Sequence, residues 1–186
     1  MLEETISKIR GGQIDVLTSM DNQWSPQINL GVSVLIPETY VSDLDVRLGL
    51  YRRLSNLNKK DEFEGFAAEL IDRFGKLPSE VNTLLLVVRI KSVCKKAGIG
   101  KLDGGPKGAT VQFHNDKFIS PEGLVEFIKN QNGTAKIKDN KLIIRRDWKK
   151  NSDKFKGAFA IARDLAEIAA SFEKNIQKKQ KSNFLN

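Results

Sequence analysis

Between Ser42 and Ala97 the apolar residues of this chain recur at helical spacing, and after Gly98 they alternate. A stripe read at the wrong period scatters its apolar residues over both faces, so the spacing leaves little choice of element. The first stretch must be helices and the second must begin with strands.

Three helices are expected between Ser42 and Gly98. In "SDLDVRLGLYRRLSNL", Leu44, Leu48, Tyr51 and Leu54 trace one face, and Ser42 with Asp45 has the form of a capping box. Phe63, Phe66, Ala67, Leu70, Ile71 and Phe74 repeat the stripe from Asp61 to Phe74, and Gly75 is its left-handed stop. "SEVNTLLLVVRIKSVCKKAG" is apolar nearly all round from Leu84 to Val88, the mark of a central buried helix. Lys95 and Lys96 suit its last turn, where the helix dipole favours cations.

Strands flank this block. "PQINLGVSVLIP" alternates, with Ile28, Leu30, Val32, Val34 and Ile36 on one side, and predicts a half-buried strand between Pro26 and Pro37. "IGKLDGGPKGATVQFH" predicts two strands around a glycine-rich turn. "SPEGLVEFIKNQNG" predicts a helix with Ser120 as N-cap, Pro121 at its first position and Gly133 beyond its end. "TAKIKDNKLIIRRD" predicts a hairpin turning at Asp139–Asn140. Ser152 is the expected cap of a last helix reaching about Glu173, with Phe155, Phe159, Ala162, Leu165, Ala166, Ile168 and Ala169 as its apolar side.

The fold class is therefore α+β: a helical first half, then strand–strand–helix–strand–strand and a closing C-terminal helix. Residues 1–25 are expected to form a linking helix and loop. That helix carries Leu2, Ile6 and Ile9, stops at Gly11–Gly12, and starts in full stride as if cut from a longer protein. The main domain spans 26–172, with candidate lobes 26–98 and 99–172. The basic, polar residues 173–186 are expected to be a disordered tail.

Composition narrows the function classes. Hydrophobic residues make up 40 %, enough for a core. Lys and Arg number 31 against 23 Asp and Glu, a formal charge of +8, which permits contact with nucleic acid or an acidic protein without establishing either. Cys94 and His114 are the single residues of their types, so neither an internal disulfide nor a zinc cluster can form. No run of roughly 18 apolar residues would span a membrane, and the charged start lacks a signal peptide's apolar stretch. The expected compartment is the reducing cytoplasm.

No chemistry-bearing motif stands out. The phosphate-loop pattern needs Lys and a hydroxyl after spaced glycines. Gly75–Lys76 and Gly100–Lys101 lack both the upstream Gly and the following Ser or Thr. Gly104, Gly105 and Gly108 precede a strand and read as a hairpin turn. His114 has no nucleophile or carboxylate partner by spacing. No catalytic, cofactor or metal residue is assigned, and the chain is expected not to be an enzyme.

Two binding surfaces remain open. Arg145, Arg146, Lys149 and Lys150 flank Trp148, and an aromatic among cations can stack on bases. The alternative is a charged loop with the Trp packed beneath it. In "AELIDRFGKLP", Glu69 and Arg73 stand four apart in the favourable order for an intrahelical pair. Asp72 adds a carboxylate near the helix C-terminus, the wrong end for one. That face is either ordinary solvated surface or a surface for a partner.

Two runs carry a family resemblance: "PETYVSDLDVRLGLYRR", Pro37 to Arg53, and "ELIDRFGKLP", Glu69 to Pro78. With "LLLVVRIKSVCKKAGIGKLDGG" they resemble the C-terminal domain of bacterial transcription-repair coupling factors, over about residues 1–172. The resemblance implies a non-catalytic regulatory domain of a DNA translocase whose ATP-using motors lie outside this chain. The full factor, it implies, displaces RNA polymerase stalled on duplex DNA and recruits the UvrA subunit of excision repair. The C-terminal domain would dock on the UvrB-like module of the same protein and mask its UvrA-binding surface. The docking residues carried over are Glu69, Asp72 and Arg73. A basic nucleic-acid-binding module of a repair protein is the alternative.

Overall fold

The structure, a computed structural model, describes residues 24–32 and 34–183. The expected helix at 1–10 and the loop after it lie outside the described residues. The elements in chain order are β1 (Gln27–Asn29), α1 (Leu44–Ser55), α2 (Lys60–Phe74), α3 (Ser79–Lys96), β2 (Ile99–Gly105), β3 (Gly108–Phe113), a 3-10 turn (His114–Asp116), α4 (Pro121–Asn130), β4 (Ala135–Lys138), β5 (Lys141–Arg145) and α5 (Asn151–Asn183). This is the α+β class and order that the periodicity predicts.

Contacts group Gly31–Ser92 as one compact unit, and Pro26–Leu30 with everything from Val93 onward as another. The first holds α1, α2 and most of α3 around Leu50, Leu54, Phe63, Phe66, Leu70, Val81, Leu84 and Val88, all buried. Leu54 and Leu70 are fully enclosed. The face of α1 is shifted from the expected one: Leu44 is 48 % exposed, while Leu50 is in the core. The cap also moves by one residue. Asp43, not Ser42, accepts the Val46 N–H at 2.9 Å and starts the helix. Glu62 reaches back to the N–H groups of Asn58 and Lys59 and closes the start of α2.

The expected strand over 26–37 pairs only at Gln27–Asn29. Beyond it the alternation persists, with Leu30, Val34 and Ile36 buried, but the chain is not in a ladder. Alternation reports one face inside and one outside, and an extended segment meets it without a neighbouring strand. The backbone N–H of Ile36 donates instead to the Tyr51 hydroxyl at 2.7 Å.

The second unit is built on a five-stranded sheet in the order β1-β2-β3-β5-β4, with β1 parallel to β2 and the other pairs antiparallel. Pro26–Leu30 belongs here, rather than with the helices up to 98, because β1 pairs with β2. Leu102, Val111, Leu142 and Ile144 point to the core side, where Ala158, Ala162 and Leu165 of α5 are also buried. Gly157 lets α5 approach Trp148, since a Cβ there would run into the indole ring. The β4–β5 hairpin turns on Asp139 and Asn140, both at positive φ (51° and 58°), as a two-residue primed turn requires. Ser120 caps α4 by accepting the Gly123 N–H. At the start of α5, the carboxylate of Asp153 accepts the Lys150 N–H at 3.3 Å, where Ser152 was the expected cap.

The segment from residue 173 onward is not an irregular tail as far as it is described: α5 continues to Asn183. Lys and Gln carry good helix propensity and no Gly or Pro interrupts them, so the helix propagates past its buried part.

Candidate protein interface

Phe63, Phe66 and Leu70 bury one side of α2 and thereby turn Glu69, Asp72 and Arg73 outward. The end of the helix is tied down from outside. The Tyr40 hydroxyl lies 2.9 Å from the carbonyls of both Leu70 and Gly75, and its single proton serves one at a time. Its ring meets Phe74 edge-on, with centroids 5.8 Å apart. The Gly75 carbonyl, at the C-cap and without an intrahelical donor, thus lies within reach of one.

Glu69 is the hub of the surface. Arg53, from the last turn of α1, donates Nη1 to Oε1 at 2.8 Å and Nη2 to Oε2 at 2.5 Å, a two-point pair. Arg73 donates Nη1 to the same Oε1 at 2.9 Å. The Arg53 hydrogen bonds, and secondarily that of Arg73, pull the Glu69 carboxyl down to a pKa of about 2. Each guanidinium also lies over a ring, Arg53 over Phe66 at 5.2 Å and Arg73 over Phe74 at 4.9 Å. The Glu69–Arg73 pair was legible from spacing; Arg53, the stronger partner, was not. It sits sixteen residues away on another helix, and only packing brings it in.

Asp72 differs from its neighbours. It is exposed and makes no hydrogen bond or ion pair among the described residues, beside Ile71, which is half-exposed. The three docking candidates are therefore a carboxylate and a guanidinium already paired with each other, and one exposed carboxylate without a partner among the described residues.

The second candidate cluster does not come together as a stacking surface. Trp148 is 7 % exposed and packs at Gly157, so its ring is not offered to a base. Arg146 is committed inward: Nη1 donates to Thr134 Oγ1 at 2.6 Å and Nη2 to Gln131 Oε1. Arg145, Lys149 and Lys150 are exposed, Lys149 near Asp147 at 3.5 Å. The charged loop over a packed Trp is what the chain forms, because an indole gains more from burial than from solvent.

Cys94 is fully buried, and loss of solvation pushes its thiol up to about 12. Among the described residues no group of His, Cys, Asp and Glu could hold a metal ion, and no helix is long and apolar enough to cross a membrane.

Residues 30–124 match the model of the TRCF domain family. The chain is similar to the transcription-repair-coupling factor of Rickettsia bellii, 44 % identical over 144 residues that make up 77 % of this chain and 12 % of that protein. It is similar to the Escherichia coli transcription-repair-coupling factor at 30 % identity, covering 70 % of this chain and 11 % of that protein. The chain thus spans roughly an eighth of the length of such relatives. In fold it resembles a crystal structure of the C-terminal domain of transcription-repair coupling factor, with a TM-score of 0.66, 23 % identity, and coverage of 82 % of this chain and 99 % of that one.

Proposed function

The chain belongs to the TRCF domain family, the C-terminal domain of transcription-repair-coupling factors, and from that premise we propose that it is a non-catalytic docking domain that restrains its factor. Its partner is the UvrB-like module of the same protein. Docking covers the surface that UvrA would use, and release accompanies engagement of RNA polymerase on duplex DNA. ATP is used by motor domains outside this chain, in the cytoplasm.

One observation supports this reading above the others: Asp72 is left exposed and unpaired at the unfavourable end of a helix, while Glu69 and Arg73 beside it are paired. A fixed rim of charge on a tethered helix suits an interface that must form and release. Glu69 and Arg73 then act chiefly by holding the surface in shape, and Asp72 meets the partner directly.

The test is titration of this chain, unaltered and as Asp72→Lys, against the UvrB-like module, with a labelled duplex as parallel ligand. Saturable binding of the module, lost in Asp72→Lys while the thermal midpoint holds, supports docking. Equal affinity of the two proteins for the module rejects it. Charge reversal at Glu69 is the poorer variant, because a lysine there would face Arg53 and Arg73.

A further inference from the structure

The pleat of the sheet sends one set of side chains to the core and the other to the opposite face, and the register states which residues share that second face. One cross-strand row reads Gln27, Lys101, Gln112, Lys141, Lys138. The next reads Asn29, Asp103, Thr110, Ile143, Lys136. Arg145, opposite Gly108, begins a third. The intervening rows hold Leu102, Val111, Leu142, Ala109 and Ile144, all buried, and α5 packs on their side, with Lys154 beside Gly104.

The second face is thus a polar sheet surface rich in cations. Its acidic groups are few. Asp103 pairs with Lys101 at 3.4 Å, Asp116 accepts from Gln112 at 3.2 Å beyond the end of β3, and Asp139 stands in the hairpin turn. Lys136, Lys138, Lys141 and Arg145 are exposed and have no ion-pair partner among the described residues. Lys138 and Lys141 are directly opposed across the ladder, an arrangement of like charges that destabilises a hairpin. Nothing within the sheet offsets it, so an external anion is its natural complement.

We propose that this face binds the phosphate backbone of duplex nucleic acid without reading its sequence. Its composition decides between anionic partners. Lys, Arg, Gln, Asn and Thr are the side chains that contact phosphate and sugar. An acidic protein would need apolar or aromatic anchors to hold it, and the face offers only the partly buried Ile143. No aromatic stands in its rows, so it has no stacking platform for unpaired bases. The inference involves none of the residues of α2 and stands apart from the docking reading.

Fluorescence anisotropy of a labelled duplex of arbitrary sequence, titrated with the chain between 50 and 200 mM KCl, tests it. With the four unpaired cations engaged, the slope of log affinity on log salt should be about −3.6, a loss on the order of 100-fold over that range. Lys138→Gln with Lys141→Gln should reduce the magnitude of the slope by about 2, and Lys149→Gln with Lys150→Gln should leave it unchanged. Lys136→Gln with Arg145→Gln gives the same readout should the hairpin variant fold poorly. No duplex binding at 50 mM, binding that follows Lys149 and Lys150 instead, or displacement of the duplex by poly-glutamate at equal charge concentration would each overturn the proposal.

Discussion

Arg53 and Glu69 lie sixteen residues apart, on α1 and α2, and join through two parallel hydrogen bonds of 2.8 and 2.5 Å. Arg73 completes a cluster of two guanidinium groups on one carboxylate. The cluster closes the first unit on its outside and fixes the charges of the candidate docking surface.

The cluster makes stability depend on acid. Glu69 has a folded pKa of about 2 against an ordinary 4.5, so its contribution is complete above about pH 4.5 and is lost as pH falls toward 2. Its size is modest, because the Arg53 and Glu69 side chains are 51 % and 32 % exposed; about 0.5–1 kcal/mol is expected. Glu69→Gln should lower the urea midpoint slightly at pH 7, and the difference from the unaltered protein should shrink steadily as pH falls from about 4.5 toward 2. Equal midpoints at pH 7 would show the cluster to be energetically silent.

Tyr51 of α1 holds the backbone at Ile36. Its partly buried hydroxyl accepts the Ile36 N–H, and burial outweighs that bond in raising the phenol pKa. Tyr51→Phe leaves the amide unmatched and should cost about 1–3 kcal/mol by denaturant unfolding. Hydrogen exchange at the Ile36 amide should accelerate with it. Unchanged stability would mean that water replaces the phenol.

Gly157 and Trp148 form a contact without slack. Gly157→Ala places a methyl group in the indole and should destabilise the protein by about 1–3 kcal/mol. Trp148→Phe is itself costly, yet in that background the same glycine change should cost less, since the clashing atoms are gone. Strict additivity in the double-mutant cycle would argue against the contact as the cause.

Cys94 should be inert. A fully buried thiol with its pKa near 12 exposes almost no thiolate at pH 8. Modification by a thiol reagent should require unfolding and should accelerate in step with denaturant. Rapid labelling of the native protein would contradict the burial.

Local periodicity carried most of the secondary structure. The stripes Phe63–Phe66–Leu70 and Leu84–Val88, the Pro121 start and the Asp139–Asn140 turn are set by neighbours within a few residues, and all were legible. The misreadings share a cause. Pro26–Pro37 alternates like a strand but finds a ladder partner only for Gln27–Asn29, and whether a partner exists is decided elsewhere in the chain. Ser42 is the cap expected from the sequence, and Asp43 makes the bond to the Val46 N–H in its place.

The candidate surfaces divide in the same way. The sequence alone determined that Glu69 stands beside both Asp72 and Arg73, because residues three and four apart on a helix lie side by side. It also determined the α+β class. Tertiary structure decided that Arg53 would close on Glu69, that Trp148 would turn inward, and that Lys136, Lys138, Lys141 and Arg145 would meet on one open sheet face. Those outcomes depend on packing and register between distant segments, where each contact is settled by what the whole core can bury and not by spacing along the chain.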